Sequence, residues 1–430
     1  MNVIGIDVGT TSICGVVLNA ENGNLIKSKT VNSDAFIITA NEWEKIQDVT
    51  KILSIATEIL DSFLEEFFDD VMAIGITGQM HGIVYIDAKG EAVSPLYTWQ
   101  DGRGNLPYKD TTYASYLGAF SGYGNVTDFY NRENGLVPTD AVSYCTIHDF
   151  LGMTLCKNKK PTLHASDAAS LGLYDAEKMK FNYDYSPQVT DGFDIVGTYR
   201  QIPVSVAIGD NQASVFSTLA SKDDLLINVG TGSQISIVSD HPIIAENVEC
   251  RPYFDGKYLI VGSALCGGRA YSLLKDFYKN LFEVADCKDI DVYAVMDKLL
   301  EGKSSTSLKV DTRFAGTRSN SNIRGSIENI SIDNLSPSDL TLGVLYGMVE
   351  ELHSMYLSMG EKRMGIVGSG NGVRKNKALV NIAEQVFGGK LRVPLYTEEA
   401  ACGAALFALV ACGKYRQASE LQGLIRYSAE

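Results

Sequence analysis

The sequence predicts an α/β protein of two related domains, from three observations. An apolar run, a Gly/Thr turn and a second apolar segment stand near the N-terminus, as Val3-Ile4-Gly5-Ile6-Asp7-Val8-Gly9-Thr10-Thr11-Ser12 followed by residues 13–18. The same pattern recurs as Leu225-Leu226-Ile227-Asn228-Val229-Gly230-Thr231-Gly232-Ser233 followed by residues 235–238. In each half a helical periodicity and a further strand then follow in the same order. Two domains of one plan, with a cleft between them for a small ligand, account for this repeat.

The elements follow in chain order. Glu21-Asn22-Gly23-Asn24 is a strong hairpin turn into a third strand from Leu25. Between Trp43 and Phe68, residues Ile46, Val49, Leu53, Ala56, Leu60, Phe63 and Phe67 recur at helical spacing, and a strand follows over 71–77. Another apolar strand ends at Gly209-Asp210, where small residues begin a helix. In the second half Ser338-Asp339 can cap a helix carrying Leu342, Leu345, Val349, Leu352, Met355 and Met359. It leads to strand 365–367 and a glycine-rich loop, Gly368-Ser369-Gly370-Asn371-Gly372. Residues 303–338 read as polar surface loops. The boundary falls near 218–223, giving domains 1–219 and 220–430.

Charge and composition narrow the function. The 430 residues hold 37 Lys and Arg against 52 Asp and Glu, a formal charge of −15, with 45% hydrophobic residues. So acidic a chain disfavours nucleic acid and anionic membranes as partners, because their phosphates are repelled at long range. A small anion remains compatible, since local dipoles and a bound cation outweigh the mean field. No apolar stretch approaches the roughly 18 residues of a spanning helix, and Met1 runs into a strand without a secretory leader. The 8 cysteines form no Cys-x-x-Cys pair, and the 5 histidines form no His-Glu-x-x-His. Reduced thiols in a cytoplasm are the expectation.

The turns suggest chemistry. Gly9-Thr10-Thr11 and Gly230-Thr231-Gly232 expose backbone N–H groups and hydroxyls, which suits phosphate oxygens, although no Walker A loop is present. Asp7 precedes the first turn, where a carboxylate suits Mg2+ or caps the turn; Asn228 holds the equivalent place in the second. Asp210, at the end of its strand, suits either an N-cap or acceptance of a hydroxyl proton during phosphoryl transfer. Gly78-Gln79-Met80-His81-Gly82 and Trp99-Gln100-Asp101-Gly102-Arg103 mix an aromatic face with forked donors and acceptors. That mixture suits sugars, and each of these residues also suits a packed or surface-paired place.

Together these motifs resemble the FGGY carbohydrate kinases, sugar kinases of the actin-like ATPase superfamily. The resemblance covers nearly the whole chain and extends through Gly267-Gly268, Gly368-Ser369-Gly370 and Glu398-Glu399-Ala400-Ala401-Cys402-Gly403-Ala404-Ala405. It implies two actin-like (ribonuclease H-like) ATPase domains with the catalytic cleft between them. It implies Asp210 as general base and sugar ligand, Asp7 as the Mg2+ carboxylate, and Met80, His81, Trp99, Asp101 and Arg103 as sugar-binding residues. Gly9, Thr10, Thr11, Gly230, Thr231, Gly232, Gly268, Gly370 and Asn371 are implied to bind ATP. Within the family, Gln-Met-His-Gly is similar to the xylulokinases and their relatives. Thr98 to Arg103, Thr146-Ile147-His148-Asp149 and Ser166-Asp167-Ala168-Ala169-Ser170 are most similar to the sedoheptulokinases. The implied reaction is phosphorylation of a ketose by ATP, with a homodimer left open. The hairpins alone also suit a non-kinase ATPase of the superfamily, and the sugar loops a sensor without catalysis.

Overall fold

Alternating and continuous apolar runs set the first strands. The computed structural model describes residues 1–176, 178–183, 187–287, 289–317, 320 and 322–428. It contains two units: Met1–Ala220 with Arg251–Lys257 and Glu398–Arg426, and Ser221–Cys250 with Tyr258–Thr397 and the C-terminal residues from Tyr427. The expectation of two contiguous halves therefore differs in two places. The chain leaves the first unit after Ala220 but comes back to it briefly over Arg251–Lys257 and again near its C-terminus, where the helix packs on the first sheet.

In the first unit β1 (Asn2–Val8), β2 (Ser12–Asn19) and β3 (Leu25–Asn32) form a meander, and α1 (Val49–Phe67) leads to β4 (Val71–Gly78). β1 pairs antiparallel with β2 and parallel with β4, so Asp7 lies opposite Cys14 on one side and Thr77 on the other. Val3, Ile4, Ile6 and Val8 are fully buried, as expected of a central strand covered on both faces. The Asp48 carboxylate caps α1 by accepting the Lys51 N–H, and Ile52, Ala56, Ile59 and Phe63 form its buried stripe. Ile46, expected in this helix, instead belongs to a two-residue strand opposite Tyr97. Beyond β4 come α2 (Ile147–Leu155), α3 (Ala165–Ser170), β5 (Ile195–Tyr199), β6 (Ile202–Ser205) and β7 (Ile208–Gly209), with β6 and β7 pairing on β4. Then α4 (Asp210–Thr218) begins.

The second unit repeats this plan. β8 (Asp224–Val229), β9 (Ser233–Ser239) and β10 (Tyr258–Ala264) form the meander, followed by α5 (Gly267–Val284), α6 (Val292–Leu300) and α7 (Pro337–Ser358). β11 (Gly365–Ser369), α8 (Gly370–Lys375), α9 (Lys377–Phe387) and β12 (Leu391–Arg392) complete it. The strand orders β3-β2-β1-β4 and β10-β9-β8-β11 are the same, and β8 pairs parallel with β11 as β1 does with β4. Two local expectations change. The cap of α7 is Ser336, with Pro337 at the first helical position, not Ser338. The glycine-rich loop is the end of β11 and the first turn of α8. Of the expected surface stretch 303–338, positions 318, 319 and 321 lie outside the described residues.

The chain's last helix, α10 (Glu399–Ala411), lies on the face of β1 and β4. Glycines make this approach available. A Cβ on Gly5 would stand 1.9 Å from the Ala401 carbonyl oxygen, and one on Gly75 1.9 Å from that of Ala404. A second local device sits at α3. The His164 Nδ1 accepts the Ser166 N–H at 3.1 Å, so this nitrogen carries no proton, and burial lowers the ring's pKa to about 4.

Gly75→Ala is expected to destabilise the fold by about 1–3 kcal/mol or more, because the clash is with backbone and no side chain can give way. Denaturant unfolding measures it. The His164 ring has its folded pKa lowered from 6.5 to about 4, so its neutral form stabilises the protein above pH 6.5 and that stability is lost as pH falls toward 4. The melting temperature of the wild type should drop faster across this window than that of His164→Gln. Parallel profiles would contradict the cap.

Candidate active site

Two strands of the first unit end at carboxylates, Asp7 closing β1's polar end and Asp210 opening α4 after β7. Gly209 lets the chain turn there against Met80: a Cβ at Gly209 would meet the Met80 Cε at 2.7 Å. Asp7 Oδ1 is buried without a hydrogen-bond partner among the described residues. Burial, together with the charges of Asp210 and Glu398, pushes Asp7 up to about 8. Burial also raises Asp210, while the nearby His148 and Arg251 act in the opposite direction. Such a carboxylate pair holds a proton readily, or gains from a cation that replaces it. The orphaned oxygen of Asp7 therefore fits a metal-ligand role. Glu398, the residue before α10, was not among the expected site residues. Its only sequence signal was the Glu398-Glu399 pair opening a run of small residues.

A different group of ligand-type side chains is the compact one among the described residues. His148, Asp149 and Asp167 are buried, with ligand atoms within 4.8 Å of one another. His148 Nε2 lies 3.0 Å from Asp167 Oδ1, which makes an acid–imidazole pair between α2 and α3. Burial lowers His148 and raises Asp149 and Asp167 well above the carboxylate range.

The first turn is held from behind. The Thr10 carbonyl accepts from Ser33 Oγ at 3.1 Å and Gln47 Nε2 at 2.7 Å, and the Thr11 carbonyl accepts the Ser33 N–H at 2.8 Å. Trp99 Nε1 donates to the Thr10 hydroxyl at 3.0 Å, while the indole remains 47% exposed. This joins an expected sugar residue to the expected phosphate turn. His81 follows buried Met80 in a left-handed backbone (φ 74°), stacked on Tyr123 with centroids 4.6 Å apart. Asp101 and Arg103 depart from the sugar-facing expectation. They are 1% and 2% exposed, with Arg103 Nε donating to Asp101 Oδ1 at 2.7 Å and Nη2 to Oδ2 at 3.1 Å. The guanidinium also bonds Asn131 at 2.6 Å and lies 4.3 Å from the Tyr97 ring centroid. A charge this deep requires that much pairing, which leaves the pair to support the loop that carries Trp99.

In the second unit a cavity of about 560 Å³ opens beside the second turn, a volume within the range of small-molecule sites. Gly230, Thr231, Gly268 and Asn371 line it, as expected; Gly232 and Gly370 do not. Gly370 instead adopts φ 82° where a Cβ would stand 2.6 Å from the Val229 oxygen, which brings the end of β11 against the turn. The start of α5 clamps the turn as well, Gly268 N–H to Gly230 O at 3.0 Å and Arg269 N–H to Thr231 O at 2.9 Å. The sequence reading missed Arg269, Tyr271, Tyr293, Asp297, Lys375 and Asn376 of the lining. They stand on three helices, α5, α6 and α8, and at the cap between α8 and α9, without a shared motif, so only folding brings them together. Tyr271 and Tyr293 stack with centroids 6.0 Å apart.

The N- and C-terminal domain models of the FGGY family of carbohydrate kinases match residues 2–108 and 225–412. The chain belongs to the FGGY family of carbohydrate kinases. It is an ATP-dependent sugar phosphotransferase, which sets aside the non-kinase ATPase and sensor alternatives. Among its relatives, sedoheptulokinase of Mus musculus is 29% identical over 89% of this chain and 92% of its own length. Sedoheptulokinase of Homo sapiens is 28% identical over 94% and 97%, and gluconokinase of Bacillus subtilis 22% over 96% and 88%. Among solved structures, the xylulose kinase of Rhodospirillum rubrum superposes with a TM-score of 0.85 at 16% identity, covering 100% of this chain and 93% of that one. The gluconate kinase of Lactobacillus acidophilus does so at 0.85 and 17%, covering 100% and 92%. These likenesses show the fold, the actin-like two-domain α/β architecture expected from the sequence. Among the described residues no helix is long and apolar enough to cross a membrane.

Proposed function

We propose that this kinase transfers the γ-phosphoryl group of ATP to a primary hydroxyl of sedoheptulose. The observation that carries the proposal is Asp210: a half-buried carboxylate at the head of α4, raised above its usual range by desolvation, close enough to half-buried Asp7 to raise it as well, and flanked by the Met80–His81 loop. In the reaction the substrate hydroxyl oxygen bonds to the γ-phosphorus, the bond from phosphorus to the bridging oxygen breaks, and the hydroxyl proton passes to Asp210. ADP leaves. A base of raised proton affinity is better matched to a sugar hydroxyl than an ordinary carboxylate. His81 and Trp99 offer the sugar a ring nitrogen and an exposed apolar face.

The nucleotide occupies the cavity of the second unit, with Tyr271 and Tyr293 beside its base and ribose and Lys375 and Arg269 adding positive charge. Gly9, Thr10 and Thr11 serve phosphate oxygens in the first unit. Asp7, with Glu398 nearby, would hold Mg2+, which when bound neutralises phosphate charge. Sedoheptulose is preferred over xylulose because two sedoheptulokinases are among the sequence relatives at 29% and 28% identity, against 23% for a xylulose kinase, and because motifs 98–103, 146–149 and 166–170 resemble theirs. Xylulose is the second reading, supported by Gln-Met-His-Gly and by the xylulose kinases among the relatives. The protein's partners are thus a small sugar and ATP.

Coupled ADP release with Mg·ATP across sedoheptulose, xylulose, ribulose, gluconate and glycerol should give the highest kcat/KM with sedoheptulose; a tenfold preference for any other acceptor would sink the substrate assignment. Asp210→Asn should lower kcat roughly 10²- to 10⁴-fold while leaving the ATP Kd near that of the wild type. In the wild type, kcat should rise with pH as Asp210 loses its proton. In Gly268→Ala the new Cβ would stand 2.3 Å from the Gly230 oxygen. The displaced turn should weaken ATP binding roughly 5- to 100-fold, by calorimetry, with sugar binding unmoved.

A further inference from the structure

The short helix α3 touches both the proposed base and the proposed sugar loop, through two different serines. Ser166 Oγ accepts the Gly209 N–H at 3.1 Å, one peptide before Asp210. Ser170 Oγ accepts the His81 N–H at 3.1 Å, and the Ser170 carbonyl oxygen lies 2.7 Å from His81 Nδ1. A carbonyl has only lone pairs to offer, so Nδ1 carries the hydrogen of that contact. The two bonds from Ser170 also hold His81 in its left-handed backbone, a conformation a non-glycine residue rarely keeps without such support.

The helix itself is braced from within and meets α2. Ser166 and Ser170 are 0% and 5% exposed, and their hydroxyl hydrogens are directed to His164 Nδ1 (2.9 Å) and the Asp167 carbonyl (2.8 Å). Between them Asp167 meets His148 of α2, with Nε2 and Oδ1 3.0 Å apart and both side chains fully buried. From the other side, Thr77 Oγ1 of β4 donates to the Ile208 carbonyl at 2.7 Å, so β7 is gripped at two successive residues before the base.

We propose that α3 is a positioning element that sets Asp210 and His81 in register for the sugar, with Ser166 acting on the base and Ser170 on the acceptor-binding ring. Neither serine touches a reacting atom. The inference rests on the reading of Asp210 as base and His81 as sugar ligand. It goes beyond that reading in predicting that one helix divides its effect between turnover and sugar affinity. Removing a hydroxyl leaves the volume of each serine nearly unchanged, so alanine probes the bond more than the packing.

The test compares full-length Ser166→Ala and Ser170→Ala with wild type, using the acceptor in the sugar panel that the wild type turns over fastest. A different best acceptor then counts against sedoheptulose alone and leaves this comparison intact. Ser166→Ala should lower kcat roughly 2- to 10-fold with sugar KM unchanged. Ser170→Ala should raise sugar KM, and the calorimetric sugar Kd, by a similar factor with kcat near wild type. ATP KM should stay constant in both. Variants that match the wild type in kcat and sugar KM overturn the proposal, whatever happens to their melting temperatures. So do variants in which kcat, sugar KM and ATP KM all worsen together, which is the mark of general loosening.

Discussion

The first sheet can receive α10 only because β1 and β4 each place a glycine beneath it. With hypothetical Cβ atoms 1.9 Å from the carbonyls of Ala401 and Ala404, no other residue fits at Gly5 or Gly75 without moving the helix away. The same closeness recurs on the far side, where a Cβ on Gly403 would stand 1.9 Å from the Ala213 oxygen of α4. An alanine-rich helix is thus wedged between the sheet and α4. Its backbone fixes the direction in which α4 leaves β7, and hence where Asp210 stands. Its first turn brings Glu398 close enough to Asp7 to alter that group's proton affinity. This wedge also explains why residues 398–426 belong to the first unit although they follow the second in sequence.

The electrostatics of the site follow from what is buried there. Asp149 and Asp167 are buried and Asp7 and Asp210 half-buried, and lost solvation of their charges raises each. A chain of net charge −15 binds an anionic nucleotide without a basic surface. On the proposed assignment, neutral backbone donors at the turns, a few placed cations such as Arg269 and Lys375, and a metal at Asp7 would act over a few ångströms, where the mean field matters little.

The repeated hairpins, α1, β4, Asp7 and Asp210 were legible in the sequence because short-range patterns specify them: apolar period, turn residues and a polar residue at a strand end. Element ends were less legible. Ser336 rather than Ser338 caps α7, since Pro337 is acceptable at the first helical position and both serines offer the same hydroxyl. Asp101 and Arg103 were misread in their exposure. Their spacing is that of any surface pair, and only the rings of Trp43, Tyr97 and Tyr130, which stand at unrelated distances along the chain in no fixed pattern, reveal a buried guanidinium. Most of the second unit's cavity lining was invisible for the same reason.

By itself the sequence determined the two-domain α/β plan, the two Gly/Thr turns, the carboxylates at the strand ends and the kinship with sugar kinases, because each is written in contiguous residues whose chemistry needs no distant partner. Tertiary structure alone decided that α10 belongs with the first sheet, that Glu398 reaches Asp7, that Arg103 is buried against Asp101, and that α3 holds both Gly209 and His81. Those relations depend on backbone separations of a few ångströms between residues far apart in sequence, which local propensity does not encode.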